Sequence, residues 1–186
     1  DESFDGRNLL YLIENGIASL NLHTNLDCCP GGVNDVLASR LGLADIEILN
    51  PVGTDAKGRP YGLVRMGEVA EQPLAAFAAF VKRVLSCPGV RFSDAGKPVR
   101  KVAVGGGSCG SEIGDVIAAG CDTFVTADLK YNHFEEAKYR GLNLIDAGHF
   151  ETENPVCGVL EGILREAFPE IPVFRARAHR DETQFL

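Results

Sequence analysis

From Val99 onward the chain repeats one pattern: a short apolar run, a glycine-containing turn, then a segment with helical periodicity. "VRKVAV" leads into "GGGSCGSEIGDVIAAG", "TFVTAD" into "YNHFEEAKYRG", and "NLIDAG" into a stretch at about 152–167. Runs this short and this apolar fit strands covered on both faces, and the helical segments between them are the crossovers that parallel neighbours need. The pattern predicts an α/β fold with mixed, largely parallel sheets and flanking helices. It also points to the carboxyl ends of the strands, where ligands of such sheets bind.

The first half is less regular. Leu9, Leu10, Leu12 and Ile13 have helical spacing within 6–16, and "IASLNLH" at 17–23 reads as a short strand. A loop, "TNLDCCPGG", then precedes a helix over 33–41. Strands at 46–50 and 61–69 flank a Gly/Pro-rich turn, and "LAAFAAFVKRVLS" after Pro73 is a strongly apolar amphipathic helix. "GVRFS" and, at the far end, "IPVFRA" read as further strands. With 186 residues the chain can build one substantial core or two small lobes sharing one. The expected division is an N-terminal lobe over 1–70 and a C-terminal α/β lobe over 71–186.

Composition narrows the function classes. A net charge of −8 argues against a surface that coats nucleic acid, which needs clustered Lys and Arg. No run of about 18 apolar residues suggests a membrane span, and the opening residues carry no secretory-signal pattern. None of the six cysteines forms a C-x-x-C pair, so a thiolate zinc site is not expected. They read as reduced thiols of a cytoplasmic protein.

Four stretches carry candidate chemistry. In "NLIDAGHFETE" a buried strand ends in glycine, and His149 and Glu153 follow four residues apart. On a helical turn they share a face. Imidazole and carboxylate together suit zinc, iron or manganese; on spacing alone, a surface ion pair at a helix start is the better reading. In "LHTNLDCCPGG", His23 and Asp27 lie in a loop where a functional residue would sit, although a plain connection in which Asp27 makes an Asx-turn is by itself the better reading. Gly105, Gly106 and Gly107 sit at a strand-to-helix turn whose bare backbone could face a phosphate. The equal alternative there is close strand–helix packing, since neither a Walker A nor a dinucleotide fingerprint is present. Finally, Asp128, Lys130 and His133 follow a strand; Lys130 could pair with a phosphate or carboxylate and His133 could support a site residue, although residues that merely begin a helix are the better reading.

Taken together, "HTNLDCCPGGVNDVLASRLGL", "VAVGGGSCGSEIGDVIAAGCDTFVTADLKYNHFEEA" and "GLNLIDAGHFETE" resemble the Nif-three-like dinuclear metal-binding proteins, often labelled GTP cyclohydrolase 1 type 2 homologs. The similarity runs from about residue 7 to 175. The resemblance implies a two-lobed α/β fold with two divalent metal ions (Zn, Fe or Mn) between the lobes. It carries over Asp27, His149 and Glu153 as ligands. Family members also have two adjacent histidines upstream of the opening helix, and no such pair occurs in this sequence. The expectation is therefore a chain that lacks an N-terminal segment and holds its metals under-occupied. His23 would act as the proton-moving catalytic residue, and Gly105–Gly107 with Lys130 would hold a phosphate.

The expected function is a dinuclear metal-dependent hydrolase, GTP cyclohydrolase-like, acting on a nucleotide or phosphorylated small molecule. The alternative is a non-catalytic, metal-binding oligomeric scaffold or regulator. Ring-shaped homo-hexamers are the assembly that the resemblance implies.

Overall fold

The computed structural model describes residues 3–186. Its centre is a six-stranded mixed sheet built from β1 (Ala44–Leu49), β4 (Val64–Gln72), β5 (Arg91–Ser93), β6 (Val99–Val104), β7 (Thr123–Thr126) and β8 (Asn143–Asp146). The spatial order is β1-β4-β6-β7-β8-β5. β6, β7 and β8 run parallel, as their intervening helices require, while β1, β4 and β5 add antiparallel flanks. The short β2 (Gly53–Thr54) and β3 (Pro60–Tyr61) form a separate hairpin inside the Gly/Pro-rich turn. β4 crosses the join expected near residue 70 and pairs with β1 on one side and β6 on the other.

Alternation along the central strands sorts their side chains onto two covered faces. Val102, Val104, Val125 and Ile145 pack on one face against α3 (Val33–Arg40) and α4 (Leu74–Leu85). Ala103, Phe124 and Leu144 pack on the other against α5 (Ile113–Ala118) and α6 (Tyr131–Tyr139). Every residue of β7 and β8 is buried, which is why these runs show no polar alternation in the sequence. α4 buries Leu74, Phe77, Ala78, Val81 and Leu85 at helical spacing. Pro73 starts it and Ser86, in the left-handed region at φ 60°, stops it.

Several predicted elements take another form. Residues 17–22 have no strand partner; their I-A-S-L-N-L alternation imitates a strand, yet Ile17, Leu20 and Leu22 are exposed. Part of the expected 24–32 loop is a short helix, α2 (Thr24–Cys28), with His23 at its N-cap. The helix expected over 152–167 is two helices, α7 (His149–Glu153) and α8 (Val156–Ala167), with Pro155 between them. "IPVFRA" joins no ladder; it is an extended strap fixed to α8, where Arg165 Nη2 donates to Val173 O at 2.9 Å. α1 (Phe4–Glu14) buries no side chain, and Phe4, Leu9, Tyr11 and Ile13 are exposed. Among the described residues no helix is long and apolar enough to cross a membrane.

All six cysteines are free, with Cys87, Cys109 and Cys121 buried. Burial pushes the Cys87 and Cys109 thiols up to about 12 and that of Cys121 to about 11. A thiol near 12 is ionised to roughly one part in ten thousand at about pH 8, and the thiolate is the nucleophile. Iodoacetamide on the folded protein should therefore label only the partly exposed Cys28, Cys29 and Cys157. Peptide mapping checks this; alkylation of Cys87 or Cys109 before unfolding would contradict the packing described.

Candidate metal centre

The helix that follows β8 lines a cavity of about 730 Å³, together with α2 and the start of α3. β8 runs into Gly148, whose φ of 87° turns the chain sharply into α7. His149 begins that helix and Glu153 ends it, so one turn stacks the two side chains, with His149 Nε2 3.0 Å from Glu153 Oε1. The other ring nitrogen, Nδ1, lies 2.7 Å from Asp128 Oδ2. Asp128 sits just beyond β7 in the left-handed region at φ 54°, an uncommon conformation for a residue other than glycine. The imidazole is thus held at both nitrogens by carboxylates from two elements. Burial opposes its positive charge, but the hydrogen bond to Asp128 and the charges of Glu153 and Asp128 outweigh burial and raise its pKa.

Asp27 reaches the same cavity from α2, in a segment far away in the sequence, as does His23. Burial raises the Asp27 pKa, and so does the charge of Glu153; His23 and His149 pull it down in part. Two carboxylates facing one cavity therefore repel each other, with imidazoles as the local compensation.

Three buried polar side chains set this arrangement. Asn34, fully buried on α3, donates from Nδ2 to Asp27 O (3.2 Å) and Leu63 O (2.6 Å). Its Oδ1 accepts from Gly106 N at 2.6 Å. Thr152 Oγ1 donates back to Gly148 O and accepts from Gly107 N at 3.0 Å, tying α7 to the glycine loop. Arg65, buried on β4, pairs with Asp35 and donates to Gly62 O and Cys28 O, which fixes the end of α2. None of the three was assigned a site role from the sequence, because no local pattern marks a partner 72 residues away, the Asn34–Gly106 separation.

The glycine loop differs from the phosphate cradle expected of it. Gly105 N donates to Val125 O, Gly106 N to Asn34 and Gly107 N to Thr152, so these amides are already engaged. The glycines are there because neighbours come too close for a Cβ: Cys109 over Gly105, Val33 over Gly106, and Glu153 with His149 over Gly107. Lys130 is exposed at the start of α6 and is not among the residues lining the cavity. His133 packs over Gly110 instead of facing the site.

The sequence did not reveal two further lining residues, His179 and Asp181, on the C-terminal strap. The His179 ring lies 5.0 Å from that of Phe150. Asp181 hydrogen-bonds the side chain of Glu151, a buried carboxyl whose pKa is raised by burial first and by Asp181 next.

A matching family model, Duf34/NIF3 (NGG1p interacting factor 3), covers residues 1–182. The chain belongs to the Duf34/NIF3 family. A GTP cyclohydrolase 1 type 2 homolog of Streptomyces coelicolor is 41% identical over 161 residues, 83% of this chain and 56% of that protein. One from Nostoc is 36% identical over 152 residues, 80% of this chain and again 56% of the relative. The chain thus spans a little over half the length of these Duf34/NIF3 relatives. The crystal structure of a Staphylococcus aureus hypothetical protein superposes with a TM-score of 0.90 at 29% identity, over 100% of this chain and 74% of the other. A Bacillus cereus protein related to NIF3 shares the fold at a TM-score of 0.89 and 23% identity, over 100% of this chain and 78% of the other.

The donor chemistry suits the metals expected of the family. Asp27 and Glu153 offer oxygen, His149 offers nitrogen, and the carboxylates outnumber the imidazolium that offsets them. The donors are not closed into a chelate: among the described residues no group of three His, Cys, Asp or Glu side chains is gathered tightly enough to hold an ion. His149 Nε2 meets Glu153 instead. The donor types suit a cation, and their present spacing does not close around one.

Proposed function

We propose that this chain carries the acidic half of a divalent-metal site in a hydrolase acting on a nucleotide or another phosphorylated small molecule. The observation that supports this most is the convergence of Asp27, His149 and Glu153 on one cavity from separate parts of the chain. The name of the Streptomyces coelicolor and Nostoc relatives, GTP cyclohydrolase 1 type 2 homolog, suggests hydrolytic opening of a purine imidazole ring with release of formate. Asp27, His149 and Glu153 would hold the divalent metal, whose chemistry there would be to lower the pKa of water toward neutrality. Asp27 and Glu153 would carry the compensating negative charge. Asp128 fixes the ring of His149 through Nδ1, the usual use of a carboxylate behind a ligating imidazole, and leaves Nε2 beside Glu153. His23, at the cavity rim, would take and return a proton.

The sign of a stability change tests the charge arrangement. With its pKa raised, Asp27 favours the folded state most when protonated, so its contribution falls as pH rises through the folded pKa. Asp27→Asn should therefore melt higher than wild type in EDTA at neutral pH. Added zinc, iron or manganese should reverse the order, since a ligand at about 100 times its Kd stabilises by about 2.7 kcal/mol. Elemental analysis and formate release from GTP complete the test. If Asp27→Asn binds as much metal as wild type, the ligand assignment fails.

The second reading is an assembly scaffold, a cytoplasmic homo-hexamer that holds metal without turnover. The exposed Phe4, Leu9, Tyr11 and Ile13 of α1 favour it, because they need cover. Metal binding with no formate or phosphate release from any nucleotide would select this reading.

A further inference from the structure

β8 ends in a carboxylate where a wholly covered strand has least use for one. Asp146 is 6% exposed and closes a run whose four residues are all buried. A carboxylate removed from water is tolerated only when its oxygens are well paired. Two of its partners belong to the turns that carry Asp128 and His149. Oδ2 accepts from the N–H of Leu129, the residue after Asp128, at 3.1 Å. Oδ1 accepts from the N–H of Gly148, the residue before His149, at 3.2 Å.

Arg91 completes the arrangement. β5 pairs with β8 so that Arg91 lies opposite Asp146. One guanidinium nitrogen, Nη2, donates both to Asp146 Oδ2 and to Leu129 O, the latter at 2.9 Å. Leu129 is thus held at its N–H by the carboxylate and at its C=O by the guanidinium, and its side chain is buried. It follows directly on Asp128, whose left-handed φ of 54° persists only if the surrounding structure holds it. The guanidinium itself lies over the ring of Phe134, 5.3 Å from its centroid.

We propose that Asp146 and Arg91 are positioning residues that lock the turn of Asp128 against the turn of His149. They thereby set the Asp128 carboxylate at the 2.7 Å from Nδ1 that orients the imidazole. Their effect on the ring passes through Asp128. The inference rests on the reading of His149 as a metal ligand and names what orients it. The hydrogen bond at one ring nitrogen decides which nitrogen carries the proton. Asp128 competes for it with Glu153, which lies 3.0 Å from Nε2. Loosening the Asp128 turn hands the proton to Glu153 and takes Nε2 away from a metal.

Nitrogen-15 NMR of the full chain in EDTA reads the proton's place without metal or turnover, at about pH 9, well above the ordinary imidazole range. The His149 signals are assigned by their loss in His149→Gln. The wild-type ring should hold its proton on Nδ1, toward Asp128. Asp128→Gly and Asp146→Asn should move most of it to Nε2, and Arg91→Ala a smaller part. Arg91 has a mostly exposed side chain, so its variant reports even if Asp146→Asn fails to fold. Gly120→Ala, strained at φ 76° and in open space, controls for lost stability and should leave the proton on Nδ1. Zinc titration gives the second readout. Asp146→Asn should weaken binding about tenfold or more. That loss should not add to the loss in Asp128→Gly, because one residue acts through the other. The proposal is overturned if the wild-type proton sits on Nε2, if neither Asp146→Asn nor Arg91→Ala moves it, or if the two zinc losses add. A wild-type chain that binds no zinc would sink the metal reading and leave the NMR result to decide this one.

Discussion

Asn34→Ala should cost the fold about 3 kcal/mol or more and lower its melting temperature by roughly 6–12 °C. The size follows from what the amide holds. Gly106 N–H, Asp27 C=O and Leu63 C=O all satisfy themselves on this one buried side chain. Alanine strands all three, and each buried orphan costs about 1–3 kcal/mol unless water replaces the partner. The consequence for the site follows from the same bonds: they couple the helix of Asp27 to the loop beneath His149 and Glu153. Cation affinity should therefore fall together with stability. Asn34→Asp separates the parts, because it keeps the acceptor for Gly106 N–H while replacing two donated bonds by repulsion from two carbonyls. It should be no more stable than the alanine variant. Thermal melts and urea titrations on all three proteins decide the matter, and an Asn34→Ala protein melting within about 2 °C of wild type would show that the amide is not the hub described.

That hub also marks the boundary of what the sequence made legible. The α/β architecture and α4 could be read because their signals are local: all-apolar runs such as Phe124-Val125, and the spacing of Phe77, Val81 and Leu85. The His149–Glu153 pair could be read because four residues on one helical turn determine their neighbourhood. The alternation at 17–22 misled because periodicity shows that a strand is feasible, whereas only a neighbouring strand makes one. Asp27 entered through resemblance, since its loop also fits an Asx-turn. Asp128 was visible as an acid after a strand, but its role depends on a left-handed φ and on a ring 21 residues on. His179 and Asp181 left no local trace at all, because a strap without secondary structure is placed only by the contacts it makes.

The glycine run admits two readings from sequence, phosphate contact and close packing, and Gly107→Ala turns the difference into a measurement. Gly107 sits at φ 66°, where an L side chain costs about 1–2 kcal/mol. A Cβ there would lie 3.1 Å from His149 Nε2 and closer still to Glu153 Oε1. Both are the far ends of side chains that can move, so the chain should fold and the donors should be displaced. Gly120 supplies the control: its φ is 76°, and a Cβ would meet nothing within 4 Å. Gly107→Ala and Gly120→Ala should thus lose similar stability for the same backbone reason. Only Gly107→Ala should lose metal affinity, by roughly 10–100-fold, the loss typical when the surroundings of a ligand are disturbed. Calorimetric titration with zinc or manganese on both variants reads this out directly. Equal affinities in the two would mean that the space above Gly107 is not where a cation is held, even if Asp27, His149 and Glu153 bind one elsewhere in the cavity. A loss confined to Gly107→Ala would mean that the triple glycine serves the metal by absence of side chain and not by donation to phosphate.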